Sequence, residues 1–261
     1  MHSQHNRPLI IGHRGAVGVM PENTQTAYNF ALEHGVDGIE FDVHLSQDGF
    51  PIVLHDSNLR RTVGLDQFVD EMTLAQLRQL DAAAIHRSHS STTNIHSQLI
   101  PTLQEVISWI PAPRLLCVEL KTRHDGVPYP GLEEITVQAI RNASAENRTI
   151  LSSFNFAILE KLRMIAPDIR RHAIIATEYF SRFPTSDYAQ IIDDLVSRQV
   201  DWVAVNKAFL TPSFVDALHN RGLLAHAWVV NTVEEFTHFA ALGVFAVTTD
   251  RPDILCAAPR T

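Results

Sequence analysis

The chain has 261 residues, of which 45% are hydrophobic and 19% are charged, and its formal net charge is -8. This composition is typical of a globular protein with a large buried core rather than of a disordered chain. The acidic balance argues against a broad nucleic-acid-binding face, because such a face needs clustered basic residues. We therefore expect a small-molecule partner and no nucleic acid.

The sequence carries neither a predicted membrane span nor a predicted signal peptide. Its first eight residues are polar, and no apolar run reaches the roughly 18 residues that a membrane-spanning helix needs. Cys117 and Cys256 are the only cysteines, and buried free thiols are a better interpretation than a disulfide because Cys117 lies in an apolar run. We expect a cytoplasmic protein without stable membrane insertion, and the sequence leaves the oligomeric state open.

Short apolar segments alternate with helical patterns along the chain, which is typical of βαβ units in a parallel sheet. The predicted strands are residues 9–12, 38–43, 115–121, 149–152, 173–176, 202–205, 224–229 and 244–248. The predicted helices are residues 24–34, 102–109, 132–145, 156–166, 188–198, 212–221 and 233–242. Eight strands with helices between them predict a (β/α)8 TIM barrel, with residues 1–261 as a single domain.

The segment between the second and third predicted strands, residues 45–100, is too long for an ordinary loop of a barrel. We interpret it as an insertion near the active face, with a helical part at residues 73–82 and a polar stretch at residues 86–98. Within that stretch, residues 88–94 are the best candidate for a mobile loop because they are rich in Ser, Thr and Asn. His86, His89 and His96 lack the helical spacing and the cysteines of a zinc site, so a solvated loop is the better interpretation.

Acidic residues cluster on two neighbouring predicted strands. Glu40 and Asp42 are two positions apart, so the alternation of a strand places both carboxylates on one face, and Glu119 and Lys121 share a face in the same way. Carboxylates that converge in a barrel mouth are costly without a counter-charge, which predicts one bound divalent cation. Oxygen ligands favour Mg²⁺ or Ca²⁺, whereas zinc favours His and Cys.

Two histidines are predicted to flank this cluster. His13 and Arg14 follow the first strand, at the end of a barrel where catalytic groups gather, and His55 follows an extended run after the second strand. A pair of imidazoles can supply a general base and a general acid, while the cation, Arg14 and Lys121 offset charge on a phosphoryl group. These side chains are suited to cleavage of a phosphodiester.

Nine short motifs resemble those of glycerophosphodiester phosphodiesterases in order and spacing, and the resemblance runs from Leu9 to Asp253. The motifs are His13-Arg14-Gly15, Pro21-Glu22-Asn23-Thr24, Glu40-Phe41-Asp42-Val43, Asp48-Gly49, His55-Asp56, Pro101-Thr102-Leu103, Glu119-Leu120-Lys121, Trp228-Val229-Val230-Asn231 and Thr249-Asp250-Arg251-Pro252. The resemblance implies a TIM barrel that hydrolyses glycerophosphodiesters to sn-glycerol 3-phosphate and an alcohol.

The same resemblance implies a role for each of eight residues. The metal ligands are Glu40, Asp42 and Glu119; the catalytic acid and base are His13 and His55; the phosphate is held by Arg14 and Lys121; and Trp228 forms an apolar wall against the glycerol carbons. Which histidine is the acid stays open, as do the choice between Mg²⁺ and Ca²⁺, the head group, and attack by water or by the glycerol 2-hydroxyl.

Three other functions are compatible with parts of this pattern. A lysophospholipase D-type enzyme would need an exposed apolar rim, for which Phe68, Val69, Met72 and Leu74 are candidates unless they pack as a helix face. A catalytically silent phosphate-binding barrel would have little need of both histidines and all three carboxylates. A metal-independent phosphoinositide-cleaving enzyme would leave the carboxylates unexplained.

Several neighbouring residues have simpler interpretations. Arg14 and Lys121 can also act as ion-pair partners that compensate the acidic cluster. Glu22 and Asn23 are interpreted as capping residues at the start of a helix. His44 shares the strand face of Glu40 and Asp42 and is interpreted as a structural or peripheral side chain.

Overall fold

The computed structural model describes residues 7–89, 95–183 and 188–257. Its strands are β1 (Leu9–His13), β2 (Gly38–Leu45), β3 (Pro51–Val53), β4 (Leu115–Leu120), β5 (Thr149–Ser153), β6 (Arg170–Ile175), β7 (Trp202–Asn206), β8 (Leu224–Trp228) and β9 (Ala246–Thr249). All except β3 pair in parallel, in the order β1-β9-β8-β7-β6-β5-β4-β2, and β2 pairs again with β1. The predicted TIM barrel is therefore confirmed, with β3 added antiparallel to β2.

Helices connect the strands on the outside of the barrel. They are α1 (Gln25–His34), α2 (Arg60–Val63), α3 (Leu74–Leu77), α4 (Ala84–His89), α5 (Leu103–Trp109), α6 (Leu132–Asn142), α7 (Phe156–Ile165), α8 (Thr177–Phe180), α9 (Tyr188–Ser197), α10 (Pro212–His219), α11 (Val233–Ala241) and α12 (Pro252–Leu255), with 3-10 turns at Val69–Glu71, Glu146–Arg148 and Lys207–Phe209. All seven predicted helices are present. Among the described residues, none of the helices is long and apolar enough to cross a membrane.

Threonine side chains start four of the long helices. Thr24, Thr102, Thr211 and Thr232 each accept a hydrogen bond from a backbone amide in the first turn, which satisfies a donor that the helix itself leaves unpaired. These four caps fix the residues at which α1, α5, α10 and α11 begin.

The core has separate layers inside and outside the barrel. The outward side chains of the strands, among them Phe41 and Val43 of β2, pack with the helices in one large apolar cluster. A smaller cluster lies inside the barrel near the amino-terminal ends of its strands and includes Ile11, Cys117 and Trp202. Cys117 is a buried free thiol, as predicted, whereas Cys256 is only half-buried.

The insertion after β2 has a small core of its own, which includes Ile52, Leu59, Leu77 and Ile100. The predicted helix at residues 73–82 is wrong in length, since α3 covers only four residues. After α3 the chain turns, and the Asp81 carboxylate accepts hydrogen bonds from backbone amides of the following segment, including that of Gln98. This side chain competes with continued helix formation.

Two further expectations differ from the structure. The polar stretch at residues 86–98 is not a loop throughout, because α4 extends to His89; of the predicted mobile loop, residues 90–94 lie outside the described residues. Strand β6 begins at Arg170, three residues before the predicted start at Ala173. The hydrophobic pattern does not indicate this start because Arg171 and His172 are polar, although both residues are buried.

Candidate active site

The end of β1 turns sharply and brings two polar groups into the barrel mouth. Arg14 and Gly15 both have left-handed backbone conformations, with φ of 48° and 89°. A Cβ at Gly15 would lie 2.7 Å from the backbone carbon of Ala27, so this turn requires glycine. It directs the Arg14 amide to Glu40 Oε2, at 3.1 Å, and leaves the His13 ring at the same opening.

Three carboxylates meet at the adjacent strands β2 and β4. Glu40, Asp42 and Glu119 have oxygens that all lie within 4.8 Å of one another, and Asp42 faces Glu119 directly in the strand register. Lys121 Nζ bridges two of them, at 2.5 Å from Glu119 Oε1 and 2.9 Å from Asp42 Oδ1. The predicted acidic cluster is present, and its oxygen donors can hold a divalent cation.

The charges of the cluster act strongly on one another. Burial, together with the negative charges of Asp42 and Glu119, raises the pKa of Glu40 well above its usual range. Burial would also raise the pKa of Asp42, but the ammonium group of Lys121 and other neighbouring cations outweigh it and hold that pKa below its usual range. The ionised form of Glu40 is therefore disfavoured by its surroundings, and a cation bound at the cluster would stabilise it.

The carboxylate of Asp42 is fixed from a second side by the β1–α1 segment. Asn23 Nδ2 donates to Asp42 Oδ2 at 2.9 Å, and the buried Tyr28 hydroxyl donates to Asn23 Oδ1 at 3.1 Å. Arg14 Nε lies 3.4 Å from Asp42 Oδ2. Arg14 and Lys121 thus compensate the cluster, which was one of their two predicted roles.

The prediction that Glu22 and Asn23 cap a helix is wrong. Thr24 is the capping residue of α1, whereas the Glu22 carboxylate is almost fully buried between Arg14 Nη1, at 3.1 Å, and Arg61 Nη2, at 2.8 Å. Burial raises the pKa of Glu22, but the two guanidinium groups outweigh this effect and lower it overall. The Glu22 carboxylate and the Asn23 amide therefore both hold charged groups of the site in place.

His13 is oriented by a carboxylate at the end of the last barrel strand. Its Nδ1 lies 2.6 Å from Asp250 Oδ1, and Asn231 Nδ2 donates to Asp250 Oδ2 at 2.9 Å. Burial raises the pKa of Asp250, but the hydrogen bonds from His13 and Asn231 outweigh it and keep that pKa below its usual range. An ionised carboxylate only accepts, so Nδ1 carries the proton and Nε2, 4.0 Å from Glu40 Oε2, is left to the pocket.

His55 is oriented in the same way by its neighbour in sequence. His55 Nδ1 lies 2.5 Å from Asp56 Oδ1, and Arg61 Nε donates to Asp56 Oδ2 at 2.6 Å. Arg61 also binds Glu22, so one guanidinium joins the partner of His55 to the partner of Arg14. Both histidines therefore present Nε2 as the nitrogen available for proton transfer.

The backbone of His55 is held by His44, which was expected to be structural or peripheral. His44 Nε2 lies 2.9 Å from the His55 carbonyl oxygen, and Nδ1 lies 2.8 Å from the Tyr129 hydroxyl. Burial lowers the pKa of His44 to about 4, so the ring is neutral and donates from Nε2 to the carbonyl. His44 thus fixes the segment after β3 that carries His55.

A cavity of about 130 Å³ joins these groups. Seven of the eight predicted site residues line it, namely His13, Arg14, Glu40, His55, Glu119, Lys121 and Trp228, while Asp42 is fully buried beside Glu40 and Glu119. Trp228 ends β8 and meets the Phe154 ring edge-to-face at 5.9 Å. Two aromatic rings therefore form one wall of the cavity.

The residues considered as a lipid-binding rim do not form one. Val69 and Met72 are buried in the core of the insertion, and Leu74 packs against it. Phe68 stacks on the His124 ring at 4.1 Å. These side chains are a packed face, which was the alternative interpretation.

The sequence interpretation missed four side chains that organise the site. They are the carboxylates Asp56 and Asp250, the guanidinium of Arg61 and the amide of Asn231. All but Arg61 belong to the motifs that carry the family resemblance, and that was the available signal. Arg61 sits in a helix of the insertion, and no local pattern indicates that it reaches Glu22, 39 positions away.

Comparison with known proteins places the whole barrel in one family. The family model described as "Glycerophosphoryl diester phosphodiesterase family" matches residues 13–254. A glycerophosphodiester phosphodiesterase of Caldanaerobacter subterraneus is 31% identical over 261 residues, covering 95% of this chain and 96% of the relative. One from Bacillus altitudinis is 30% identical over 251 residues, covering 94% of this chain and 95% of the relative.

A solved structure has the same architecture. An Oleispira antarctica phosphodiesterase, determined in complex with the product sn-glycerol-3-phosphate, is 28% identical, with a TM-score of 0.77 and coverage of 95% of either chain. The family model, the relatives and this structure agree over nearly the full length of the chain. The chain belongs to the glycerophosphoryl diester phosphodiesterase family.

Proposed function

We propose that the protein hydrolyses glycerophosphodiesters to sn-glycerol 3-phosphate and an alcohol, using His13 and His55 with one divalent cation. The observation that carries this proposal is the placement of three converging carboxylates between two histidines, each oriented by its own carboxylate. Such an arrangement is suited to a reaction that moves a proton at either end of a phosphodiester. The product complex of the Oleispira antarctica relative supports the same product.

The donor set fits a hard divalent cation. Glu40, Asp42 and Glu119 offer only oxygen atoms, and burial together with the charges of Asp42 and Glu119 raises the pKa of Glu40, which a bound cation would offset. We assign these three residues as ligands of Mg²⁺ or Ca²⁺. When bound, the cation would supply Lewis-acid stabilisation of charge on the phosphoryl oxygens.

Two cations of the chain are placed to hold the phosphate. Lys121 and Arg14 line the cavity, next to the carboxylates that they compensate. Guanidinium and ammonium groups bind phosphate oxygens with charge-assisted hydrogen bonds. Compensation of the cluster and binding of substrate are compatible, because each group has several N–H donors.

The two histidines divide the proton transfers. Nε2 of one accepts the proton of the attacking oxygen, and Nε2 of the other donates a proton to the leaving alkoxide; Asp250 and Asp56 hold the rings in the required tautomers. The same pair serves attack by water or by the glycerol 2-hydroxyl. Trp228 and Phe154 pack against the carbon atoms of the substrate and exclude water from that side.

A lysophospholipid is the second candidate substrate. A groove of about 760 Å³ lies beyond Glu22 and Arg61, and Val17, Met20 and Phe30 are among its apolar lining residues. An acyl chain would fit such a surface, although the groove and the catalytic cavity have no lining residue in common. Glycerophosphodiesters remain the preferred class because the catalytic cavity is small and its charged lining groups suit a phosphate with a short polyol.

Steady-state turnover of glycerophosphocholine and of lysophosphatidylcholine, with Mg²⁺, Ca²⁺ or EDTA, tests the proposal. We expect cation-dependent turnover of glycerophosphocholine, lost in EDTA and reduced about 10²- to 10⁴-fold in kcat by His13→Ala or His55→Ala. His34→Ala, at an α1 histidine outside the cavity, is the control and should keep wild-type turnover. Turnover in EDTA, or preference for the lysolipid, would refute the assignment, and an inactive protein would favour a silent binding barrel.

A further inference from the structure

Two histidines that the proposed reaction does not use lie side by side inside the barrel. His172 of β6 and His226 of β8 are 3% and 2% exposed, and their rings stack at 4.9 Å with 14° between the planes. On the strand between them, Ala204 is the register partner of His226, and its small side chain leaves room for the rings. Barrel interiors are usually filled by branched apolar side chains, so two buried imidazoles at this level need an explanation.

Each ring has a nitrogen without a hydrogen-bond partner in the described part of the chain. His226 Nε2 lies 2.8 Å from Thr248 Oγ1, but its Nδ1 has no partner, and neither has His172 Nε2. Burial lowers the pKa of His226 to about 3. Burial also lowers the pKa of His172, and the neighbouring His226 ring lowers it further. Both rings are therefore neutral near pH 7, and each has one donor and one acceptor nitrogen.

These rings line the same cavity as the catalytic groups. The cavity that contains His13 and Glu119 also touches His172, His226 and Trp228, whose Nε1 is likewise buried without a partner among the described residues. A buried polar atom without a partner is costly, and such atoms usually meet a water or a ligand. Three unpartnered nitrogens therefore border the space beside the carboxylate cluster.

We propose that His172 and His226 form a hydroxyl-binding floor for the glycerol part of the substrate, whose phosphate lies at the carboxylate cluster. This inference rests on the proposed function and adds to it the groups that recognise the polyol. A hydroxyl both donates and accepts a hydrogen bond, which matches a neutral imidazole, whereas a charged group would find no counter-charge on this floor. The 130 Å³ cavity corresponds to about four waters of about 30 Å³ each, which is room for a three-carbon group.

Equilibrium binding of two phosphate monoesters tests the floor without requiring turnover. Calorimetry in Ca²⁺ would compare sn-glycerol 3-phosphate with n-propyl phosphate, which has the same carbon chain and phosphate but no free hydroxyls. We expect the wild type to bind glycerol phosphate at least about tenfold more tightly, because the floor hydrogen bonds need the hydroxyls. His172→Leu should reduce this ratio to about one, and His172→Gln, which keeps a donor and an acceptor, should retain part of it.

The control variant is Thr136→Val. Thr136 Oγ1 is also buried without a partner among the described residues, but it lies on α6, outside the cavity. This variant should keep the wild-type affinity ratio. If His172→Leu does not fold, His226→Leu replaces it, with the same expected loss.

The possible outcomes separate the floor from the proposed reaction. Three results would overturn the inference: equal wild-type affinities for the two monoesters, no binding of either monoester, or an affinity ratio that is unchanged in His172→Leu. In each case the two histidines would contact internal water alone. A protein that prefers glycerol phosphate, with the ratio lost in His172→Leu, but does not turn over glycerophosphocholine would keep the floor and refute the proposed function.

Discussion

The Nδ1 atom of His13, at the end of the first barrel strand, lies 2.6 Å from Asp250 Oδ1, directly after the last strand. This contact exists because the barrel closes and makes these strands neighbours. Asp250→Asn should lower kcat by about 10²-fold with little change in KM, because an amide can donate to Nδ1 and so favours the wrong tautomer. Steady-state kinetics on glycerophosphocholine measures both constants.

Asp253→Asn is the matched control for that substitution. Asp253 also lies near the end of the last strand but pairs with Arg251 and does not line the cavity. It should keep the wild-type kcat. Wild-type kcat in Asp250→Asn would mean that His13 needs no carboxylate partner.

The orientation of His55 depends on Arg61, which binds both Asp56 and Glu22. Arg61→Gln should lower kcat, but by less than about tenfold, because Arg61 acts through Asp56 and is itself partly exposed. Arg60→Gln is the control, since Arg60 pairs with Asp66 at the surface. Equal kcat values for the two variants would contradict a role of Arg61 in positioning His55.

Cation binding by the acidic cluster should stabilise the fold. A cation present at about 100 times its Kd adds about 2.7 kcal/mol to the free energy of unfolding, which corresponds to an increase in Tm of about 5 °C or more for a chain of this size. Differential scanning calorimetry should show this increase with Mg²⁺ or Ca²⁺ in the wild type and lose it in Glu119→Gln. Glu134→Gln, at a half-exposed partner of Lys161, should retain it; an increase that survives Glu119→Gln would place the cation elsewhere.

The buried histidine His226 should make the fold sensitive to acid. Its pKa is lowered from 6.5 to about 3, so the unfolded chain binds a proton below pH 6.5 that the folded chain does not accept until about pH 3. Its contribution to stability is therefore complete above pH 6.5 and is lost as the pH falls through this window, at about 1.4 kcal/mol per pH unit. Urea unfolding at several pH values between about 4.5 and 6 measures the slope.

His226→Leu should reduce the pH dependence of the free energy of unfolding by about 1.4 kcal/mol per pH unit, which is the contribution of one proton. Thr248→Val removes the hydrogen-bond partner of His226 but keeps the imidazole, so it should lower stability at all pH values without flattening the slope. A wild-type slope in His226→Leu would mean that the ring accepts a proton within the fold.

The barrel and its acidic cluster could be predicted because they depend on local sequence periods. Alternation along β2 and β4 places Glu40, Asp42 and Glu119 on inward faces, and parallel strands bring those faces together. The partners of the histidines could not be predicted in the same way. Asp250 meets His13 only through closure of the barrel, and Arg61 reaches Glu22 only because the insertion folds onto the β1–α1 segment.

The interior histidines escaped prediction for a related reason. His172 lies in the polar start of β6, which reads as a loop, and its neighbour His226 is two strands away in the barrel. Period-two alternation gives the face of each residue but not its level in the barrel. The strand register pairs His172 with Trp202 and His226 with Ala204, and only the tilt of the strands around the barrel brings the two rings together.

Phosphorus NMR of a reaction with glycerophosphocholine in Mg²⁺ or Ca²⁺ tests the central claim most directly. The substrate signal should be replaced by that of sn-glycerol 3-phosphate, as the bond between phosphorus and the choline oxygen is broken. Accumulation of phosphocholine, or a substrate signal that persists in the presence of either cation, would contradict the claim.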